Sequence, residues 1–309
     1  LTEAQASALR AYLDDRNFIF REVPHAAFSA ANKEVNATFY HSGKLVVQGK
    51  GTRDFIEFVL EPEILGQAKL GYEAVLDPEV YSPRIGVDES GKGDFFGPMC
   101  IAGVYVNEAV IKSWEDAGIR DSKAIGSDQK IRDLAKTIRQ TPGCISTVVP
   151  IGNDAYNRLY AKMRSVNSLL AWGHARVIEN LMGQAHRMHP PPVRAISDQF
   201  AKSKTTVEKA LMGLGRELEL LQRHKAEADA AVAAASILAR EEFINRLAVL
   251  GKGLGFTLPR GASKEVETVA ARVFAQNGEA GLAAVAKMHF RTSFRVRGLP
   301  EPPVKDWKR

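Results

Sequence analysis

Gly86-Val87-Asp88-Glu89-Ser90-Gly91-Lys92-Gly93-Asp94-Phe95-Phe96-Gly97-Pro98 is the stretch whose reading decides both the fold and the chemistry. Residues 84–88 before the turn are strand-like, and residues 99–106 after it form a second apolar, β-branched run. The segment between them carries three glycines and a proline, so the chain turns sharply there. Asp88 and Glu89 therefore stand where an apolar strand ends. Adjacent side chains on a strand point to opposite faces, so either Glu89 lies past the regular strand or a single ion contacts only one of the two. Carboxylates backed by a rigid sheet are well placed to hold Mg²⁺ near its preferred distance of about 2.0–2.1 Å. A lone Asp-Glu pair more often just opens a polar turn, so the weight rests on what accompanies it.

Gly86 through Lys92 also spells G-x-x-x-x-G-K, the start of a phosphate-binding loop. That motif then requires Ser or Thr to hold Mg²⁺, and position 93 is Gly. Two carboxylates inside a cradle of backbone N–H groups would also repel phosphate. A P-loop is excluded on both counts.

Other acids occupy comparable places. Asp198 follows a strand-like run at 193–197, and Glu227 and Asp229 come just before the small-residue helix Ala230–Arg240. Asp121-Ser122-Lys123 is a further polar turn. Carboxylates at neighbouring strand ends and a helix start converge on one point only if cations lie between them. Oxygen donors without a His/Cys quartet indicate Mg²⁺ or Mn²⁺ rather than zinc. His186 and His189, spaced i, i+3 near an expected helix end, are explained by the helix dipole. No Ser or Cys stands in a nucleophile motif.

Around this centre the pattern predicts a mixed sheet covered by helices, an α/β arrangement. Ser127 caps a helix running to about 139, and a strand occupies 144–151. Helices follow at 153–163 and 166–188, a helix near 205–216, a strand near 217–221, a long Ala-rich helix at 228–250, and two more at 264–276 and 279–288. Upstream, residues 2–15 form a helix with Thr2 as its N-cap, strands fall at 18–23, 35–40 and 44–48 with a turn at His41-Ser42-Gly43, and a second helix covers 52–61. Domain boundaries follow: a small α+β domain at 1–70, a linker at 71–83, a larger domain at 84–297 and a Pro- and charge-rich tail at 298–309.

The net charge of +6 is unevenly spread. Residues 1–80 hold 8 Lys and Arg against 12 Asp and Glu, a net of −4, while the remaining 34 and 24 give +10. Basicity confined to the larger domain suits a polyanion-binding module. Lys33, Lys44, Lys50 and Arg53 are the cations that could give the small domain a basic face. No run approaches the roughly 18 apolar residues of a membrane span. The opening residues lack a secretory pattern, and Cys100 and Cys144 sit among β-branched residues as buried, inert thiols. A reducing cytoplasm is the expected setting.

Ordered together, the motifs resemble bacterial ribonuclease HIII, in the ribonuclease HII/HIII family. Asp88-Glu89-Ser90-Gly91-Lys92-Gly93-Asp94 with Phe95-Phe96-Gly97-Pro98 matches its opening motif, where ribonuclease HII enzymes mostly have Arg for the lysine. Similarity continues through Gly118-Ile119-Arg120-Asp121-Ser122-Lys123 and Asn167-Ser168-Leu169-Leu170-Ala171-Trp172-Gly173-His174. It extends to Asp198-Gln199-Phe200, Lys225-Ala226-Glu227, Ala233 through Arg240, and Lys287-Met288-His289-Phe290. Tyr40 through Lys50 resembles the hairpin of the family's N-terminal, TATA-box-binding-protein-like domain.

The resemblance implies a ribonuclease H fold and cleavage of the RNA strand of an RNA–DNA hybrid by two Mg²⁺ or Mn²⁺ ions, leaving 5′-phosphate and 3′-hydroxyl ends. Asp88, Glu89 and Asp198 transfer as metal ligands. The fourth is Glu227, as in ribonuclease HIII, or Asp229, since ribonuclease HII has an aspartate there. Ser90, Gly91, Lys92 and Gly93, with Ser122 and Lys123, are the implied substrate contacts, and Gly91-Lys92-Gly93 the implied sensor of the 2′-hydroxyl that separates RNA from DNA. A monomer needing no protein partner is expected. The alternative is ribonuclease HII-like cutting at single ribonucleotides in duplex DNA.

Overall fold

Thr2 starts the first helix. Its hydroxyl accepts from the Gln5 N–H while the Gln5 side chain accepts from the Thr2 N–H, so α1 (Glu3–Asp15) begins on a reciprocal cap and buries Leu9 and Leu13. The computed structural model describes residues 1–67, 78–115, 117–119, 125–198, 218–223 and 226–302, with the backbone alone at 78, 198, 223 and 227. The chain divides into two units, Leu1–Tyr81 and Ser82–Arg309.

In the first unit β1 (Ile19–Arg21), β2 (Ala26–Ala31), β3 (Asn36–Tyr40) and β4 (Leu45–Gln48) form an antiparallel sheet in that order. One face packs Phe28, Ala30 and Ala37 against α1 and against Phe55 and Leu60 of the second helical stretch. Alternation puts two cross-strand rows on the other face: Arg21, Ser29, Thr38 and Val46, then Ile19, Ala31, Asn36 and Gln48. Nothing in the sequence pattern signals β2, because four of its six residues are alanine, which carries little β preference. Pairing with β3 and burial of Phe28 hold it in place. The second helical stretch is longer than expected. It begins as α2 (Thr52–Phe55) and continues with wider turns over Ile56–Leu65, past Pro62, to a left-handed Gly66.

The cations singled out above do not gather on the open sheet face. Lys33 lies in the β2–β3 turn and Lys50 just after β4, Lys44 lies in the turn at the opposite end, and Arg53 is drawn towards Glu57 at 3.7 Å. That face instead exposes Ile19 and Val46 beside Asn36 and Gln48, with Arg21 at its edge.

The second unit is built on β5 (Arg84–Ser90), β6 (Met99–Val106), β7 (Ile145–Ile151), β8 (Arg194–Asp198) and β9 (Glu219–Arg223), in the order β7-β6-β5-β8-β9. The hairpin side is antiparallel, and β5–β8–β9 run parallel. This is the mixed sheet that the pattern implied. Helices follow as α3 (Glu108–Ser113), α4 (Asp128–Gln140), α5 (Asn153–Met163), α6 (Val166–Met182), α7 (Ala230–Leu254), α8 (Lys264–Val285) and α9 (Arg291–Val296). α8 breaks at Gly278, where the sequence suggested two helices. α3 was not anticipated, although Asn107 caps it through the Val110 N–H. α6 stops at Met182, so His186 and His189 lie beyond it and the helix-dipole explanation for them does not apply. The expected helix at 205–216 lies outside the described residues.

The sheet is covered on both faces. Ile85, Val87 and Ile101 pack against Leu169, Leu170, Val177 and Leu181 of α6. On the other face α7 comes so close to β5 that a Cβ on Gly86 would lie 2.2 Å from the Ala231 carbonyl carbon. Cys100 is buried as expected whereas Cys144 is only half-buried, and desolvation raises both thiols to about 12, which keeps them protonated. Among the described residues no helix is long and apolar enough to cross a membrane.

Because a methyl group at position 86 meets backbone rather than a movable side chain, Gly86→Ala should cost about 1–3 kcal/mol or more in urea unfolding. Gly93→Ala, where nothing lies within 4 Å of the added carbon, should leave stability unchanged. Equal midpoints for the two variants would contradict the close helix–strand packing.

Candidate active site

β5 is bounded by β6 on one side and β8 on the other, so its residues are fixed from both edges. The strand runs further than the sequence suggested. Asp88 pairs with Ala102, Glu89 with Ile101 and Ser90 with Cys100, so the regular alternation continues through both acids. Of the two options left open by the sequence, opposite faces is therefore the one observed. Asp88 shares the α7 side with Gly86 and accepts a hydrogen bond from Ser236. Glu89 shares the α6 side with Ile85 and Val87, and its Oε2 lies 3.0 Å from His174 Nε2. Lys92 Nζ stands 3.6 Å from Glu89 Oε1.

These surroundings separate the two acids electrically. Burial, and then the adjoining Glu89 charge, push the Asp88 carboxyl up to about 6 against the Ser236 hydrogen bond. Burial also pulls Glu89 upward, but His174 and Lys92 outweigh it and hold that carboxyl below the ordinary glutamate value. Two half-buried carboxylates on successive residues, one reluctant to ionise, fit the oxygen-donor preference of a divalent cation.

Val87 pairs with Ser197 across the parallel β5–β8 ladder, so the Asp198 backbone ends its strand beside that of Asp88. Glu227 lies in a short 3₁₀ turn, Ala226–Ala228, immediately before α7. For these two residues only the backbone is described. Asp229 is already engaged. Its Oδ1 accepts from the Ala231 and Val232 N–H groups as the cap of α7, and its Oδ2 accepts from Arg84 Nε at 2.7 Å. Arg84 is buried, so this pair ties the start of α7 to the start of β5. Among the described residues no three His, Cys, Asp or Glu side chains cluster closely enough to hold a metal. Ser122 and Lys123 fall outside the described residues.

The loop after Glu89 has a fixed half and an open half. Gly91 has φ +89°, and a Cβ there would lie 2.3 Å from the Pro98 carbonyl oxygen, so only glycine fits. Gly93 is exposed and surrounded by open space, and the Lys92 side chain is 41% exposed. Beyond them the chain is anchored. Asp94 Oδ1 accepts from the Gly261 N–H at 2.6 Å, and Phe95 O accepts from the Lys287 N–H at 2.8 Å. The fully buried Lys287 ammonium donates to Asp94 O at 2.9 Å and Gly97 O at 2.6 Å, and Asn153 Nδ2 also donates to Gly97 O. Lys92 and Gly93 therefore project from a base held by three separate segments.

His174, Ser236, Asn153 and Lys287 are residues to which sequence reasoning gave no role. His174, Ser236 and Lys287 sit inside recognised motifs, but a polar residue in an apolar helix does not disclose which strand it will face. Only the docking of α6 and α7 on the sheet does.

Comparison with known proteins bears on this arrangement. The family described as Ribonuclease HII matches residues 85–293. Ribonuclease HIII of Chlamydia pneumoniae is 43% identical over 296 residues, covering 94% of this chain and 95% of that protein. The crystal structure of Bst-RNase HIII in complex with Mn2+ superposes with a TM-score of 0.66 at 28% identity, covering 96% of each chain. The structure of Aquifex aeolicus RNase H3, at 23% identity and a TM-score of 0.54 over 93% of this chain and 97% of that one, shares the fold.

The buried amine beneath the loop has a measurable signature. Burial lowers the Lys287 pKa from the ordinary 10.5 to about 7. Between those values the unfolded chain binds the proton more readily than the folded one. The resulting penalty is full below pH 7 and is relieved as pH rises towards 10.5. The stability of the wild type relative to Lys287→Met should therefore increase between pH 6.5 and 9.5 in urea unfolding; a constant difference would show that the buried amine keeps its ordinary affinity for protons.

Proposed function

This chain belongs to the ribonuclease HII/HIII family and is a ribonuclease H, and from that premise we propose that it hydrolyses the RNA strand of RNA–DNA hybrids at a site formed by Asp88, Glu89, Asp198 and Glu227. The observation that carries the residue assignment is the β5–β8 register, which ends with the backbone of Asp198 beside Asp88. Glu227 is preferred over Asp229 because both Asp229 oxygens are committed, to the α7 cap and to Arg84.

When bound, two Mg²⁺ or Mn²⁺ ions would supply an activated water and stabilise the departing 3′-oxygen, so that 5′-phosphate and 3′-hydroxyl ends result. The protein's part is to hold the acids rigidly from a buried central strand and to present nucleic acid to them. Lys92 and Gly93 suit that second task. An exposed cation attracts the phosphate backbone, and a glycine with open space around it lets main-chain groups approach a 2′-hydroxyl. Gly91 contributes by shaping the turn, and Ser90 ends the strand just before it.

The units are read as a substrate-binding domain at 1–70, a linker at 71–83, a catalytic domain at 84–297 and a tail at 298–309. The outer sheet face of the small domain exposes Asn36 and Gln48, amides of the type that bonds to phosphates and sugars without ion pairing, whereas its Ser29 and Thr38 hydroxyls are buried and bonded to each other. Its net acidity is compatible with that mode, and the salt-dependent part of binding then belongs to the basic catalytic domain.

The test uses three labelled duplexes with Mg²⁺ or Mn²⁺: continuous RNA–DNA, DNA with one embedded ribonucleotide, and all-DNA. Rapid cutting of the first and none of the third is expected, and preference for the second would favour a ribonuclease HII-like activity instead. Asp198→Asn should lower cleavage by at least about a hundredfold, the scale of losing one preorganised electrostatic contact, while hybrid binding persists. Wild-type turnover by that variant would remove Asp198 from the site.

A further inference from the structure

Gly173 and His174 stand in the middle of α6, where the helix crosses the hairpin strands. A Cβ on Gly173 would lie 2.8 Å from Ile101 Cδ1, so the missing side chain is what lets α6 settle onto β6 there. Ile101 is also the residue that pairs with Glu89 across the β5–β6 ladder. A close approach of the helix therefore falls at the register position of Glu89, and the next helical residue, fully buried His174, reaches Glu89 Oε2 at 3.0 Å. A carboxylate oxygen can only accept, so Nε2 carries the proton and donates.

We infer that His174 is a positioning residue: by holding Glu89 Oε2 within the sheet–helix interface, it leaves Oε1 as the oxygen offered to a metal ion. Glu89 has three side-chain torsions and sits at the last turn of a strand, so without a partner its head group samples several orientations. The imidazole removes that freedom from the buried side, while Lys92 stands 3.6 Å from the remaining oxygen on the loop side. Partners of this outer kind fix ligand orientation and typically change metal affinity by about 10–100-fold when lost. The inference rests on the proposal that Glu89 is a ligand.

The test measures Mn²⁺ binding to the full-length protein without substrate, by calorimetry and by the electron paramagnetic resonance signal of unbound Mn²⁺. Four variants are compared: Glu89→Gln, His174→Leu, His174→Gln and His174→Asn. His174→Leu fills a similar volume without a donor and should weaken Mn²⁺ binding about 10–100-fold. His174→Gln carries an N–H close to the Nε2 position and should recover most of that loss, whereas the shorter His174→Asn should not. Hybrid affinity measured in chelator should be the same for the three His174 variants.

Should His174→Leu fail to fold, the contrast between Gln and Asn decides the matter alone. Wild-type Mn²⁺ affinity in His174→Leu or His174→Asn, alongside a loss in Glu89→Gln, would overturn the positioning role and leave the ligand assignment standing. Unchanged affinity in Glu89→Gln would instead overturn the ligand assignment on which it rests.

Discussion

At Gly86 the backbone of α7 lies against the backbone of β5 with no room for a methyl group. The site depends on that contact. It brings Asp229 within reach of Arg84, so the helix cap is also an ion pair buried against the first residue of β5. It sets the rotation of α7, which brings Ser236 to Asp88 and Phe243 beneath Gly91. On the opposite face Gly173 of α6 packs against the Ile101 side chain, and the neighbouring His174 reaches Glu89. Two successive acids on one strand are thus held from two sides by two helices, each seated at a glycine.

The electrostatic consequence is asymmetry. Adjacent carboxylates withdrawn from water repel each other, and the cost falls on the one without a cationic or imidazole partner. Asp88 bears it, while Glu89 is relieved by His174 and Lys92. The loop beyond shows the same economy of support. Its buried half is anchored by the Lys287 amine and by Gly261 and Asn153, which leaves the exposed Lys92-Gly93 segment as the part able to meet a ligand. Rigid anchoring next to an open tip is how a loop carries function on a stable scaffold.

Much of this was legible in the sequence. Apolar runs bounded by turns marked β5, β6 and β7, the Thr2 and Ser127 caps marked α1 and α4, and the expected division between 276 and 279 coincides with the break in α8 at Gly278. β2 escaped notice because alanine says little without its neighbours, and the expected α6 is too long because it runs through Gly183, the residue at which the helix ends. Asp88 and Glu89 stood out by their place at a strand end. His174, Ser236 and Lys287 did not, because their roles arise only from which helix lands on which strand. Asp229 shows the reverse: an acid in the right neighbourhood is engaged in capping and pairing, and only the packed structure says so.

Diffraction from crystals soaked in Mn²⁺, recorded at the manganese absorption edge, tests the central claim most directly. Anomalous peaks about 2 Å from Asp88 oxygens, with Glu89, Asp198 and Glu227 supplying the remaining protein ligands of the pair of ions while Asp229 remains on Arg84, are the predicted result. A peak coordinated by Asp229, or strong peaks that avoid Asp88 altogether, would contradict it.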